Sequence, residues 1–184
     1  MLRRECLKFG LVASAAALFE GREAEASQFV PLSLGELVKT SAQIWLGMPL
    51  ESHAEWVDTA IGRLIVTHTR VGCEREVVPG QSHPGELWVQ TLGGTIGKTG
   101  QLIHGEARLG LGQRCLVFLA HPGERHVVNG MAQGHYAIRA AQGIERLELS
   151  PEAKPLRARK QSAAAWLADR ELGAALARIA GEGS

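Results

Sequence analysis

The spacing of apolar positions changes twice along the chain, and it divides the sequence into three stretches. Residues 9–19 form one short run of apolar and small residues. From 43 to 149 apolar residues alternate with polar ones or gather in runs of strand length, set off by glycine and proline. From 162 to 180 they recur every three to five residues. Alternation predicts half-buried strands, and a spacing near 3.6 predicts an amphipathic helix.

Ser33 stands three residues before Glu36, the spacing of a capping box, so a short helix is expected over 34–41. Ile44, Leu46, Met48 and Leu50 alternate, which predicts a first strand over 43–50, and a second is expected over 60–71. Further strands are expected over 85–92 and 101–109, separated by the glycine-rich turn GGTIGKTG. Others follow over 114–120, 126–128, 135–139 and 144–149. The run RCLVFLA is apolar after Arg114 and reads as a candidate central strand.

Seven or so short strands at close spacing, without helices between them, favour an antiparallel sandwich or small closed barrel over a parallel α/β sheet. The fold expected is therefore mainly β: a small antiparallel OB-like barrel with a short N-terminal helix and a C-terminal helix. Residues 27–150 would form the barrel, 151–161 a linker and 162–180 the helix. The linker carries Lys154, Arg157, Arg159 and Lys160 and reads as a solvated connector.

The first 26 residues read as an address. Arg3, Arg4 and Lys8 precede the apolar run, and Ala24, Glu25 and Ala26 provide a small-x-small exit. Arg3 and Arg4 followed by Glu5, Cys6, Leu7 and Lys8 resemble a twin-arginine export signal, with Cys6 where phenylalanine is usual. Cleavage after Ala26 would leave a mature chain starting at Ser27, exported to the periplasm or beyond by the twin-arginine or the Sec route. No other stretch approaches the roughly 20 apolar residues that a transmembrane helix requires. In an oxidising compartment Cys73 and Cys115 are a candidate disulfide; two small buried side chains is the competing reading.

Composition narrows the function. A chain of 184 residues has room for about one domain. Twenty Lys and Arg against 19 Asp and Glu give a net charge of +1, which supplies no general attraction to nucleic acid.

The stretch Gly93 to Thr99 ends in Gly-Lys-Thr like a phosphate loop, but only three residues separate Gly93 from Gly97 and Leu92 stands where the first glycine belongs. It reads as a turn between strands, and no nucleotide or other cofactor is expected. The seven histidines show none of the close spacings of zinc sites, although His104 and His135 lie on different expected strands and could meet. Ser82 beside His83 reads as a turn. Glu86 and Glu106 are candidates for acid–base work only through their strand positions. Trp45, Trp56 and Trp88 read as core before they read as a stacking platform. No residue is assigned as catalytic, cofactor-binding or metal-ligating.

The succession SAQIWLGMPLES, GRLIVTHTRVG, GELWVQTLGGTIG, GEARLGLGQRCLVFLAH and VVNGMAQGHYAI resembles a family of exported bacterial proteins with an OB-type barrel. In strand order it is similar to netrin-like domains, the fold of the tissue inhibitors of metalloproteases. That resemblance implies a barrel and, for the inhibitors, a cysteine-bearing N-terminus that coordinates the protease metal. Here the expected mature start is Ser27-Gln28-Phe29 and the disulfide framework is missing, so no functional residue carries over.

The expected function is an exported, non-enzymatic binding module for a protein or cell-envelope component. The alternatives are a hydrolase with a His/Glu site assembled across strands and a protease-associated inhibitor. If the twin-arginine route is used, replacing both Arg3 and Arg4 by lysine leaves full-length precursor in the cytoplasm, as fractionation and immunoblotting would show.

Overall fold

The computed structural model describes residues 30–60, 62–78 and 85–183. The signal residues Arg3, Arg4, Leu7 and Lys8, the cleavage residues Ala24 and Ala26, and the Ser82-His83 pair lie outside that set.

The first helix, α1 (Leu34–Thr40), forms where the capping box placed it. The Ser33 hydroxyl accepts from the Glu36 amide at 3.2 Å, while Glu36 Oε2 accepts from the Ser33 amide at 2.8 Å. These bonds hold the Glu36 carboxyl below its usual pKa, the backbone bond contributing most. Leu34, Leu37 and Val38 form the buried face.

Strands β1 (Gln43–Thr59) and β2 (Gly62–Glu76) make one long antiparallel hairpin, with bulges after Leu46 and Pro49. Both outrun the lengths expected from the sequence. Beyond Leu50 most of β1 is exposed, so the apolar alternation that marks a half-buried strand ends while the hydrogen-bonded ladder continues. Strand β3 is Glu86–Leu92.

The glycine-rich turn contains a hairpin of its own, β4 (Gly94–Ile96) paired with β5 (Thr99–Gln101). The strand expected over 101–109 does not form past Gln101. Gly105 takes a positive φ of 82°, and the chain turns to bury Glu106 and Ala107.

Strand β6 (Cys115–Ala120) is central, as its apolar run implies, pairing with β1, with β7 (His126–Val128) and with β8 (His135–Ala141). Strand β9 (Ile144–Leu149) pairs with β8. The seven-stranded sheet runs β1-β2-β3-β7-β6-β8-β9, and the extra pairing of β1 with β6 returns the first five strands to their start. All contacts in this circuit are antiparallel except β3 with β7, which is parallel.

Strand alternation separates two cores. Trp45, Val117 and Leu119 face the interior of the circuit, where Val71, Leu87 and Val89 join them. Ile44, Leu46, Leu116 and Phe118, one residue out of step, face the helices and pack with Leu37 and Ile179.

The C-terminal region departs from expectation in two ways. The expected solvated linker contains a 3₁₀ segment, Pro151–Ala158, that buries Ala153 and Leu156 in the helix-side core. The single helix expected over 162–180 is divided into α2 (Ala163–Leu167) and α3 (Leu172–Glu182). Asp169 between them has a φ of 59°, outside the helical range, and the connection pairs with β9 through Asp169 N–H to Leu147 O at 2.8 Å and Leu147 N–H to Arg170 O at 2.9 Å.

Cys73 and Cys115 are both free and buried. Each lies opposite Gly47, on the two strands that flank β1. Two strand spacings, about 9 to 10 Å, separate such positions, beyond the roughly 7 Å between Cα atoms that a disulfide spans. No bridge joins them in this structure, where both are small buried side chains. Burial raises their thiol pKa values, to about 11 for Cys73 and about 12 for Cys115, so the two behave as small apolar side chains.

His135, buried at the start of β8, holds Nδ1 at 3.0 Å from the Ser150 hydroxyl, and desolvation lowers its pKa from 6.5 to about 4. Below about pH 6.5 the unfolded chain takes up a proton that the folded chain refuses, so this residue makes stability fall as pH drops from about 6.5 to about 4. The full loss is about 3 kcal/mol. His135→Asn, compared with the wild type by chemical denaturation across that window, should show a flatter pH dependence by that amount.

Candidate functional site

The outer face of β1, β2 and β3 brings the exposed Trp88 together with His53 and His68. Register sets their neighbours: His53 opposes His68, Glu51 opposes Arg70, Arg70 opposes Trp88, and His68 opposes Gln90. Because 53 is as far from Thr59 as 68 is from Gly62, the last pair of the hairpin, the two imidazoles come together. Their rings stack with centroids 5.1 Å apart and planes 12° from parallel. Trp88 meets His53 edge-on, 5.2 Å between centroids and 70° between planes. Trp88 keeps 42% of its surface exposed, and Leu50 and Leu92 stand exposed at the ends of the patch.

Charged groups around these rings are paired with one another. Arg70 donates from Nη1 to Glu86 at 2.6 Å and from Nε to Glu51 at 2.8 Å. These two carboxylates, Glu86 first, raise the guanidinium pKa above its usual value. Glu55 Oε1 lies 3.0 Å from His68 Nε2. Two carboxylates thus hold the guanidinium and a third meets His68, and the face offers nothing like the basic stripe that holds a phosphate backbone.

The three tryptophans divide. Trp45 is fully buried inside the circuit, as expected for core, whereas Trp56 is 37% exposed with Arg63 over its ring at 5.2 Å. Glu86 and Glu106 do not converge: Glu86 is on the exposed outer face with Arg70, and Glu106 is buried behind the sheet. His104 is exposed on the loop after β5, while His135 is buried beside Ser150. A second pair, His121 and His126, meets across the β6–β7 turn with centroids 3.9 Å apart. Desolvation first, and the neighbouring His121 second, lower the pKa of His126. Among the described residues no three His, Cys, Asp or Glu side chains gather as a metal site would require.

Sequence reasoning missed the His53–His68–Trp88 cluster because it ended β1 at Leu50. The available signal was the symmetry of the hairpin. Extending both strands from a turn at 60–61 pairs His53 with His68 and Glu51 with Arg70, although the third strand's register could not be read that way.

No protein-family model matches the chain, no curated protein matches it, and no solved structure matches it. Among the described residues no helix is long and apolar enough to cross a membrane.

The state of the two cysteines is directly testable. In the absence of reductant, the full chain unfolded in denaturant should yield the Cys73 and Cys115 thiols to Ellman's reagent in addition to Cys6 where that residue is retained; the folded chain should yield neither of the two.

Proposed function

We propose that this chain is an exported binding module whose contact surface is the outer face of β1–β3, and that the closed circuit of five strands is an OB-like barrel carrying it. The observation that supports this reading is the exposed Trp88 ring beside the stacked His53–His68 pair. Rings at the surface of a rigid sheet offer large contact area at little cost in side-chain entropy, which is what a recognition surface needs. The ion pairs of Arg70 brace the platform, and the excess of carboxylates over guanidinium leaves it acidic, which suits a protein or another cell-envelope component better than a nucleic acid.

One observation favours the second reading, a hydrolase built across strands. Glu55 and His68 are within hydrogen-bond distance, as an orienting carboxylate and a general base would be. Among the described residues of the outer face no serine or cysteine stands beside His68, so the base would have to activate water directly.

Trp88→Ala separates the two. The tagged chain, incubated with cell-envelope extract, is expected to retain a specific macromolecule that the variant loses by at least about tenfold, the usual effect of truncating an interface tryptophan. Because Trp88 is on the outer surface, circular dichroism of the variant should match the wild type. Retention of no macromolecule, with turnover of a small ester or amide that His68→Gln abolishes, would establish the hydrolase reading instead.

A further inference from the structure

Behind the same sheet, the inner faces of β1–β3 end in a cavity of about 410 Å³, within the range of small-ligand sites. Its wall is a block of hydroxyls set by register: Ser52 opposes Thr69, and Thr67 opposes Thr91. Thr67 donates to Gly93 O at 2.7 Å and so fixes the rim. Thr69 and Thr91 are buried at 2% and 7% exposure.

Glu106 closes the floor. The residue is 9% exposed, with Oε1 accepting the Ala107 amide at 3.0 Å and the carboxylate also held by the Leu92 backbone. Among the described residues no Lys, Arg or His comes within ion-pair distance of it. Arg108, which lines the same cavity, is committed to Glu152 at 3.1 Å. Desolvation raises the Glu106 pKa against the lowering effect of the Ala107 and Leu92 backbone bonds. A buried carboxyl without a counter-ion either keeps its proton or awaits a cation.

We propose that this cavity binds a small primary-amine cation, with Glu106 as its counter-ion and the hydroxyls of Thr69 and Thr91 as further acceptors. An ammonium group carries three donors and no acceptor, which matches one carboxylate and two hydroxyls. An anion would be repelled by Glu106, and a neutral polyol would leave it uncompensated. A hard divalent cation takes six or more oxygens, usually with several carboxylates, and only one is present. The site is independent of the Trp88 platform, which occupies the opposite face of the same strands.

The test is calorimetric titration of the full chain at pH 8 and constant ionic strength with three probes of equal chain length, butylammonium chloride, 1-butanol and sodium butyrate, and with calcium chloride. Saturable binding of butylammonium alone is expected. Glu106→Gln, which preserves shape and can still accept the Ala107 amide, should weaken it at least about tenfold, and Thr91→Val should weaken it by a smaller factor; thermal unfolding would confirm that both variants are folded. Trp88→Ala should leave amine binding unchanged, so failure here and failure of the outer-face reading are separately visible. Absence of amine binding, equal binding of the alcohol, preference for calcium, or undiminished binding by folded Glu106→Gln would each overturn the proposal and leave Glu106 as a carboxyl that only ties down its own loop.

Discussion

The structure depends on two strands being buried on both faces. β1 over its first residues and β6 over nearly its whole length must each satisfy two cores, one inside the circuit and one under the helices. The period of two divides their side chains without remainder: Trp45, Val117 and Leu119 to one side, Ile44, Leu116 and Phe118 to the other. A one-residue slip between them would exchange the two sets, placing Trp45 under the helices and leaving the interior to smaller groups. Burial on both faces therefore fixes register more firmly than hydrogen bonding alone would. Gly47 belongs to the same constraint, since a Cβ there would press on the Gly72 carbonyl and the Val71 side chain at less than 3.0 Å.

Given that register, the remaining surfaces follow. Helices α1, α2 and α3 and the 3₁₀ segment at Pro151–Ala158 cover one side of the β6–β8–β9 region, so that the C-terminal part of the chain completes a core begun near its start. Asn129 reinforces this closure by donating from Nδ2 to Ser41 Oγ and Thr40 Oγ1, both at 2.9 Å. What the helices leave uncovered is the outer face of β1–β3, where the aromatic cluster lies.

Much of the architecture was legible in the sequence where burial is one-sided or complete. The capping box at Ser33 and Glu36 and the apolar run at Cys115–Ala120 both led to the right element, because each is a local signal with a local cause. The errors fell where the cause is tertiary. Nothing local distinguishes residues 102–109 from a strand except Gly105, and their burial of Ala107 beneath the sheet depends on strands distant in sequence. The apparent linker lacked long apolar residues except Leu156, yet Ala153 and Leu156 suffice once a hydrophobic surface is already in place to receive them. For the site, residue types were visible and their company was not: Trp88 and His53 become neighbours through β2, which neither belongs to.

The hairpin of β1 and β2 continues past the last pairing of β2 with β3, at Val66 and Leu92, as far as Thr59 and Gly62. Over that final length the two strands pair with each other, Ile65 is tied in by accepting the Gly93 amide at 2.7 Å and donating to Gln101 Oε1 at 2.6 Å, and Trp56 is held by Arg63 from within the same hairpin. The aromatic face thus rests on the inner core at Val71, Leu87 and Val89, and beside it the hairpin reaches beyond the third strand. Surfaces built this way can admit guests of different girth without loosening the fold that bears them.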